Sequence, residues 1–252
     1  MIRKALILLA ALIVVGTACV GWFFLGRGWE FQWRAVDGTL LFAEHISSGP
    51  GTVYSAAENA EMTRQIDVIR FVTDARKRAE FPALLWFGSE VGVGEAAPEF
   101  ELRTVGGEVL RLSDLRGKNA VFMFAAMTCP PARAQTPRLE ALRAKYDPED
   151  VVFFLIYSRE RHPGEPGFRE FSYAKNDAEK RAYAQMLSEL TTLPIAVDDF
   201  DESVLKLYGE VPNAAYVLDP EGTIVFRSTW ADSRKVEQVL DKLLEFQGAT
   251  GT

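Results

Sequence analysis

Cysteine and histidine are nearly absent from this 252-residue chain, which has two of each. Two cysteines cannot form a disulfide framework, and two histidines cannot build a His-rich metal centre. An excess of positive charge is also missing. With 28 basic against 35 acidic side chains the net charge is −7, so no basic stripe is available for a phosphate backbone, and no nucleic-acid partner is predicted. No internal repeat or low-complexity tract is visible. Apolar surface is plentiful: 48% of residues are hydrophobic and 12% aromatic, enough to fill a core and to exclude global disorder. At roughly 150 residues per domain the length allows fewer than two domains. The chemistry must therefore rest on very few side chains.

Charge is absent altogether between Ala5 and Leu25. In helical form this run spans roughly 30 Å, the thickness of bilayer hydrocarbon. Arg3 and Lys4 precede it, and Trp22, Phe23 and Phe24 at its far end resemble an interfacial belt. Residues 1–27 are thus expected to be a single-pass membrane anchor with the following domain on the extracytoplasmic side. Residues 28–90 read as a juxtamembrane segment. It holds one short strand near Thr39–Phe42 and one amphipathic helix, opened by the capping box Ser55-Ala56-Ala57-Glu58 and carried by Met62, Ile66, Ile69 and Val72 through to Arg78.

From about residue 91 short apolar runs alternate with helical stretches, the pattern of an α/β sheet. Strands are expected at Glu99–Leu102, Glu108–Leu112, Asn119–Ala125, Val151–Tyr157, Ile195–Val197, Ala215–Leu218 and Thr223–Phe226. Helices are expected at Pro131–Tyr146, Asp177–Leu190, Ser203–Tyr208 and Ser233–Phe246. Strand, helix, strand, helix, hairpin and helix is the thioredoxin order, so residues 91–248 are read as one thioredoxin-like domain with a central mixed sheet flanked by helices.

Cys129 falls where a central strand gives way to a helix, in Met127-Thr128-Cys129-Pro130-Pro131. A thiolate there faces free backbone N–H groups and the positive end of the helix dipole, which predicts a lowered thiol pKa and a nucleophile. A dithiol site would carry a second cysteine at position 132, where this chain has Ala132. Any oxidised form of Cys129 must then be reduced by an external thiol. A peroxiredoxin has Thr or Ser three residues before its attacking cysteine and Pro three before that. Here those positions are Ala126 and Met123, which disfavours a peroxidase of that type.

The second constellation, Tyr157-Ser158-Arg159-Glu160-Arg161-His162-Pro163, ends the next buried strand, which in this sheet order lies beside the strand leading to Cys129. His162 can donate a proton near neutral pH. Glu160 is expected to hold its imidazole, and Tyr157 offers a further O–H.

Phe124 to Pro131, then Phe154-Leu155-Ile156-Tyr157 with Glu160 and His162, then Leu207 to Pro212 ahead of Tyr216-Val217-Leu218, together resemble the iodothyronine deiodinase family. The resemblance covers about residues 94–246. It implies that Cys129 replaces the catalytic selenocysteine, and that Tyr157, Glu160 and His162 form the proton relay. It further implies that Thr128 and Pro130 shape the site and that Pro212 occupies a cis-proline position. The expected activity is reductive dehalogenation of a small-molecule substrate or related thiol redox chemistry, in which Cys129 attacks a halogen or a disulfide or sulfenic sulfur, with an external small-molecule or protein thiol as reductant and no bound cofactor or metal; the resemblance also implies a homodimer. The chain departs from the family at Ala126, Ala214 and Lys175. Reading the residues alone leaves a second function open, a redoxin-like module at the membrane that forms mixed disulfides through Cys129 without turnover.

Overall fold

The computed structural model describes residues 32–36, 40–45, 53–67, 70 and 91–250. The expected membrane anchor lies outside them. Among the described residues no helix is long and apolar enough to cross a membrane.

A nine-stranded mixed sheet forms the centre. Its strands in chain order are β1 (Gln32–Val36), β2 (Leu40–His45), β3 (Glu101–Thr104), β4 (Val109–Arg111), β5 (Asn119–Ala125), β6 (Val151–Tyr157), β7 (Ile195–Val197), β8 (Ala215–Leu218) and β9 (Ile224–Ser228). Across the sheet they run β1-β2-β9-β8-β5-β6-β7-β3-β4. The helices are α1 (Ala56–Gln65), α2 (Pro130–Arg143), α3 (Asp177–Ser188), α4 (Ser203–Leu207) and α5 (Ser233–Thr250). The thioredoxin-like α/β fold expected from the sequence is present, with β5, β6 and β7 parallel and β8 antiparallel to β5.

The middle strands explain why their runs lack polar interruption. All seven residues of β5 are buried, because both faces of the sheet are covered. Val121, Met123 and Ala125 face one core, which includes Leu139 and Leu142 of α2 and Val236, Val239 and Leu240 of α5. Phe122 and Phe124 face the other, with Phe154, Tyr208, Tyr216 and Leu112. There Phe122 stacks between Phe154 and Tyr216, with centroids 5.3 and 5.1 Å away. The alternation pins the register, since a one-residue slip would exchange the two cores.

Two features differ from expectation. The segment before residue 90 contributes strands to the same sheet: β2 pairs with β1 antiparallel and with β9 parallel. The helix expected from Ser55 to Arg78 is interrupted: α1 ends at Gln65, Arg70 is again helical, and positions 68–69 and 71–78 of the expected range lie outside the described residues. Its capping box is as expected, Ser55 and Glu58 bonding each other's backbone N–H. At Ile66 the backbone turns extended (φ −113°, ψ 158°), and the Asp67 N–H is taken by the Glu165 carboxylate at 2.6 Å. A long-range partner thus removes a backbone donor from the helix, against the apolar spacing that continues in the sequence.

Candidate active site

β5 delivers the chain to a tight turn in which the Cys129 N–H donates to the Ala126 carbonyl at 3.1 Å. Cys129 is the N-cap of α2, with Pro130 and Pro131 in its first turn. Proline suits that position because the first helical N–H groups have no intrahelical partner. The same prolines strip the helix end of the donors a thiolate would use. Only the Ala132 N–H remains as a backbone donor to the sulfur. The thiol is 4% exposed, and burial pushes it up to about 11, against the pull of Ala132 N–H and the Arg161 guanidinium. The lowered thiol pKa expected from the helix terminus is thus reversed by desolvation. Alkylation of Cys129 should accelerate with pH up to a midpoint near 11, read by mass spectrometry of its peptide. A midpoint at the ordinary thiol value of about 8.5 would contradict this burial.

Thr128 ties the Cys129 turn to the loop after β6. Its N–H donates to Glu160 Oε2 at 2.7 Å, and its hydroxyl accepts from the backbone N–H groups of Arg161 (2.9 Å) and His162 (3.1 Å). The Tyr157 hydroxyl donates to Glu160 Oε1 and accepts from the Met127 N–H. Burial raises the Glu160 pKa above the usual carboxyl range, opposed by its bonds from Thr128 and Tyr157. Tyr157 is raised well above an ordinary phenol by burial and then by the Glu160 charge. Arg161 and Arg159 lie by the Glu202 carboxylate, at 3.6 and 3.0 Å.

His162 joins this loop by a different contact from the one expected. Glu160 points into the buried side, toward Thr128 and Tyr157, and the imidazole Nδ1 lies 3.1 Å from Glu165 Oε2. The chain reverses after His162, with Gly164 at φ 73° and the Glu165 N–H returning to the His162 carbonyl. That turn puts a carboxylate three residues on beside the ring. The structure therefore brings Thr128, Cys129, Pro130, Tyr157, Glu160 and His162 to one end of β5 and β6. Pro212 is buried in the turn before β8, but no cis peptide occurs among the described residues. The isomer implied for that position is absent.

Tyr54, from outside the α/β domain, was not anticipated. Its side chain is buried and its hydroxyl donates to the Pro131 carbonyl at 3.0 Å. Burial raises its pKa, partly offset by the nearby amides of Gln135 and Asn213, and the Cys129 sulfur adds a further upward push. Gln135 Nε2 and both amide atoms of Asn213 are buried without a hydrogen-bond partner. No local signal marks Tyr54, which lies far from Cys129 in sequence. Glu165, at helical-turn spacing from His162, was within reach of a sequence argument. Among the described residues no group of His, Cys, Asp and Glu could hold a metal ion.

The AhpC/TSA family matches residues 93–227. The thioredoxin-like protein YneN of Bacillus subtilis is 29% identical over 159 residues, which are 60% of this chain and 82% of YneN. The thiol-disulfide oxidoreductase ResA of Geobacillus thermodenitrificans is 30% identical over 135 residues, 53% of this chain and 67% of ResA. The solved exposed lipoprotein thioredoxin of Streptococcus pneumoniae is 27% identical, with a TM-score of 0.46, over 58% of this chain and all of that one. The family match overturns the resemblance to iodothyronine deiodinases, because the motifs that carried it lie within the stretch matched by the AhpC/TSA family. With more than half of its length matched, the chain belongs to the AhpC/TSA family.

Proposed function

We propose that this chain is a one-cysteine thiol oxidoreductase that exchanges disulfides with an external thiol partner through Cys129. The observation that carries the reading is that Cys129 is the free cysteine among the described residues, at the N-cap of α2 with Ala132 where a second cysteine would stand. Its covalent intermediate must then be intermolecular. Relatives named as thiol-disulfide oxidoreductases support the reaction class.

In the first step the Cys129 thiolate attacks one sulfur of a partner disulfide. A Cys129–partner disulfide forms, the partner S–S bond breaks, and the second partner sulfur leaves as thiolate. An external thiolate then attacks the mixed disulfide, forms a new disulfide with the partner sulfur and returns Cys129 as thiolate. The buried thiol must lose a proton first. Tyr157 and Glu160, bonded to each other and to the backbone just before Cys129, are assigned its proton relay. His162, paired with Glu165, is assigned protonation of the leaving thiolate. Thr128 and Pro130 shape the turn, and no bound cofactor or metal is required. The peroxide alternative is disfavoured by Ala126 and Met123.

The uncharged run 5–25 supports a membrane anchor at 1–27 with the redox domain, 91–248, on the extracytoplasmic side. Protease accessibility of that domain in sealed vesicles reads the orientation. A module that holds a mixed disulfide without turnover is the second reading, favoured by the burial of Cys129. The full chain in detergent, given glutathione and a peptide disulfide, decides between them. Repeated reduction supports exchange, a single stable adduct supports the second reading, and neither product excludes both.

A further inference from the structure

Cys129 is 4% exposed, which conflicts with attack on a disulfide carried by another molecule. Part of what covers its surroundings comes from outside the family-matched stretch. Val53 and Tyr54 are buried, whereas α1, which follows them, has no buried residue. Polar contacts hold this segment down. The Tyr54 hydroxyl donates to the Pro131 carbonyl, two residues after the thiol, and the Arg138 guanidinium lies 5.5 Å over the Tyr54 ring while pairing with Glu58. Arg234 Nη2 donates to the Val53 carbonyl at 3.3 Å. At the far end the Gly167 N–H donates to the Gln65 carbonyl at 2.9 Å, and Glu165, the partner of His162, takes the Asp67 N–H. A helix held by polar contacts, with no buried apolar face, belongs to the elements that open most readily.

Tyr54 also fills its niche imperfectly. Its hydroxyl donates to Pro131, and the Gln135 and Asn213 amides lie close enough to lower its pKa, yet Gln135 Nε2 and both amide atoms of Asn213 stay buried outside hydrogen-bond geometry. Native structures rarely leave such groups unpaired. An extended peptide would satisfy them, since its backbone offers donors and acceptors together. We propose that residues 53–67 form a latch over Cys129, pinned by Tyr54, which lifts so that a disulfide-bearing peptide of a partner takes the place of Tyr54 against Gln135 and Asn213. The proposal rests on Cys129 being the reacting sulfur of the exchange reaction.

Gly167→Ala tests the latch without touching Tyr54 or Cys129. Gly167 has a negative φ, so alanine suits its backbone, but the added Cβ would lie 2.7 Å from Gln65 Cβ and 3.1 Å from its Cα. The end of α1 must move away. In the full chain, iodoacetamide labelling of Cys129 should quicken about tenfold in Gly167→Ala and in Tyr54→Phe, at unchanged urea stability. Rates within about twofold of the parent in both variants, or a rise matched by global unfolding, would overturn the latch. Asn213→Leu should raise the KM for a peptide disulfide about tenfold, and an unchanged KM would overturn the docking half. The labelling arm needs no turnover, so it succeeds or fails independently of whether the chain exchanges disulfides.

Discussion

Cys129→Ala is expected to remove thiol-driven disulfide reduction down to the rate of the reductant alone, a loss of about 10³-fold or more. No second described cysteine can substitute, and the alternative oxygen nucleophiles nearby lack the ionisation the step needs: Thr128 is buried with its hydroxyl accepting two backbone bonds, and Tyr157 is held protonated by burial and Glu160. The fold should survive. Cys129 contributes one small buried side chain to a core that also holds Leu139, Leu142, Val236 and Leu240, so its truncation costs on the order of 1 kcal/mol. Turnover and urea unfolding of the same preparation separate the two effects. Activity retained in a folded Cys129→Ala protein would remove the basis of the proposed function.

Glu160→Gln should produce the second-largest change, on stability and on its pH dependence. The carboxylate accepts from the Thr128 N–H and the Tyr157 O–H in a buried setting. Glutamine keeps the shape but has one acceptor oxygen, so one donor loses its partner at a cost of about 1–3 kcal/mol. The sign of the pH effect follows from the raised Glu160 pKa, caused first by burial. A carboxyl whose folded pKa lies above its unfolded value stabilises the fold below the unfolded value of about 4.3, and that contribution is lost as pH rises through the folded value. The stability gap between parent and Glu160→Gln should therefore widen toward acid pH and narrow toward neutrality. Asp198 and Asp219, also raised by burial, are common to both proteins and cancel. Urea unfolding of both across that range checks it, and a gap independent of pH would contradict the assignment.

The legible parts of this fold are those decided by local sequence. β5, β6, β7 and β8 begin and end as the apolar runs do, because burial on both faces leaves no place for a polar residue inside them. Cys129, Thr128, Tyr157 and Glu160 were legible as a group because neighbouring parallel strands must end side by side, as Ala125 and Tyr157 do. What escaped depends on contacts between distant segments. α1 is interrupted after Gln65, where Glu165 takes the Asp67 N–H, and Tyr54 reaches the first turn of α2 from 77 positions away. The thiol pKa also depends on distant contacts: burial of Cys129 pushes it up and outweighs the pull of the helix terminus, where Pro130 and Pro131 leave few N–H donors. The likeness to deiodinases rested on short motifs that lie within the stretch matched by the AhpC/TSA family.

The central claim is that Cys129 alone forms and resolves an intermolecular disulfide. Its most direct test treats the reduced full chain in detergent with glutathione disulfide, maps the adduct by peptide mass, and then adds excess thiol. One glutathione on Cys129, released by the added thiol with recovery of the free cysteine, is the predicted result. Absence of an adduct on Cys129, or an adduct that thiol does not release, would contradict the account.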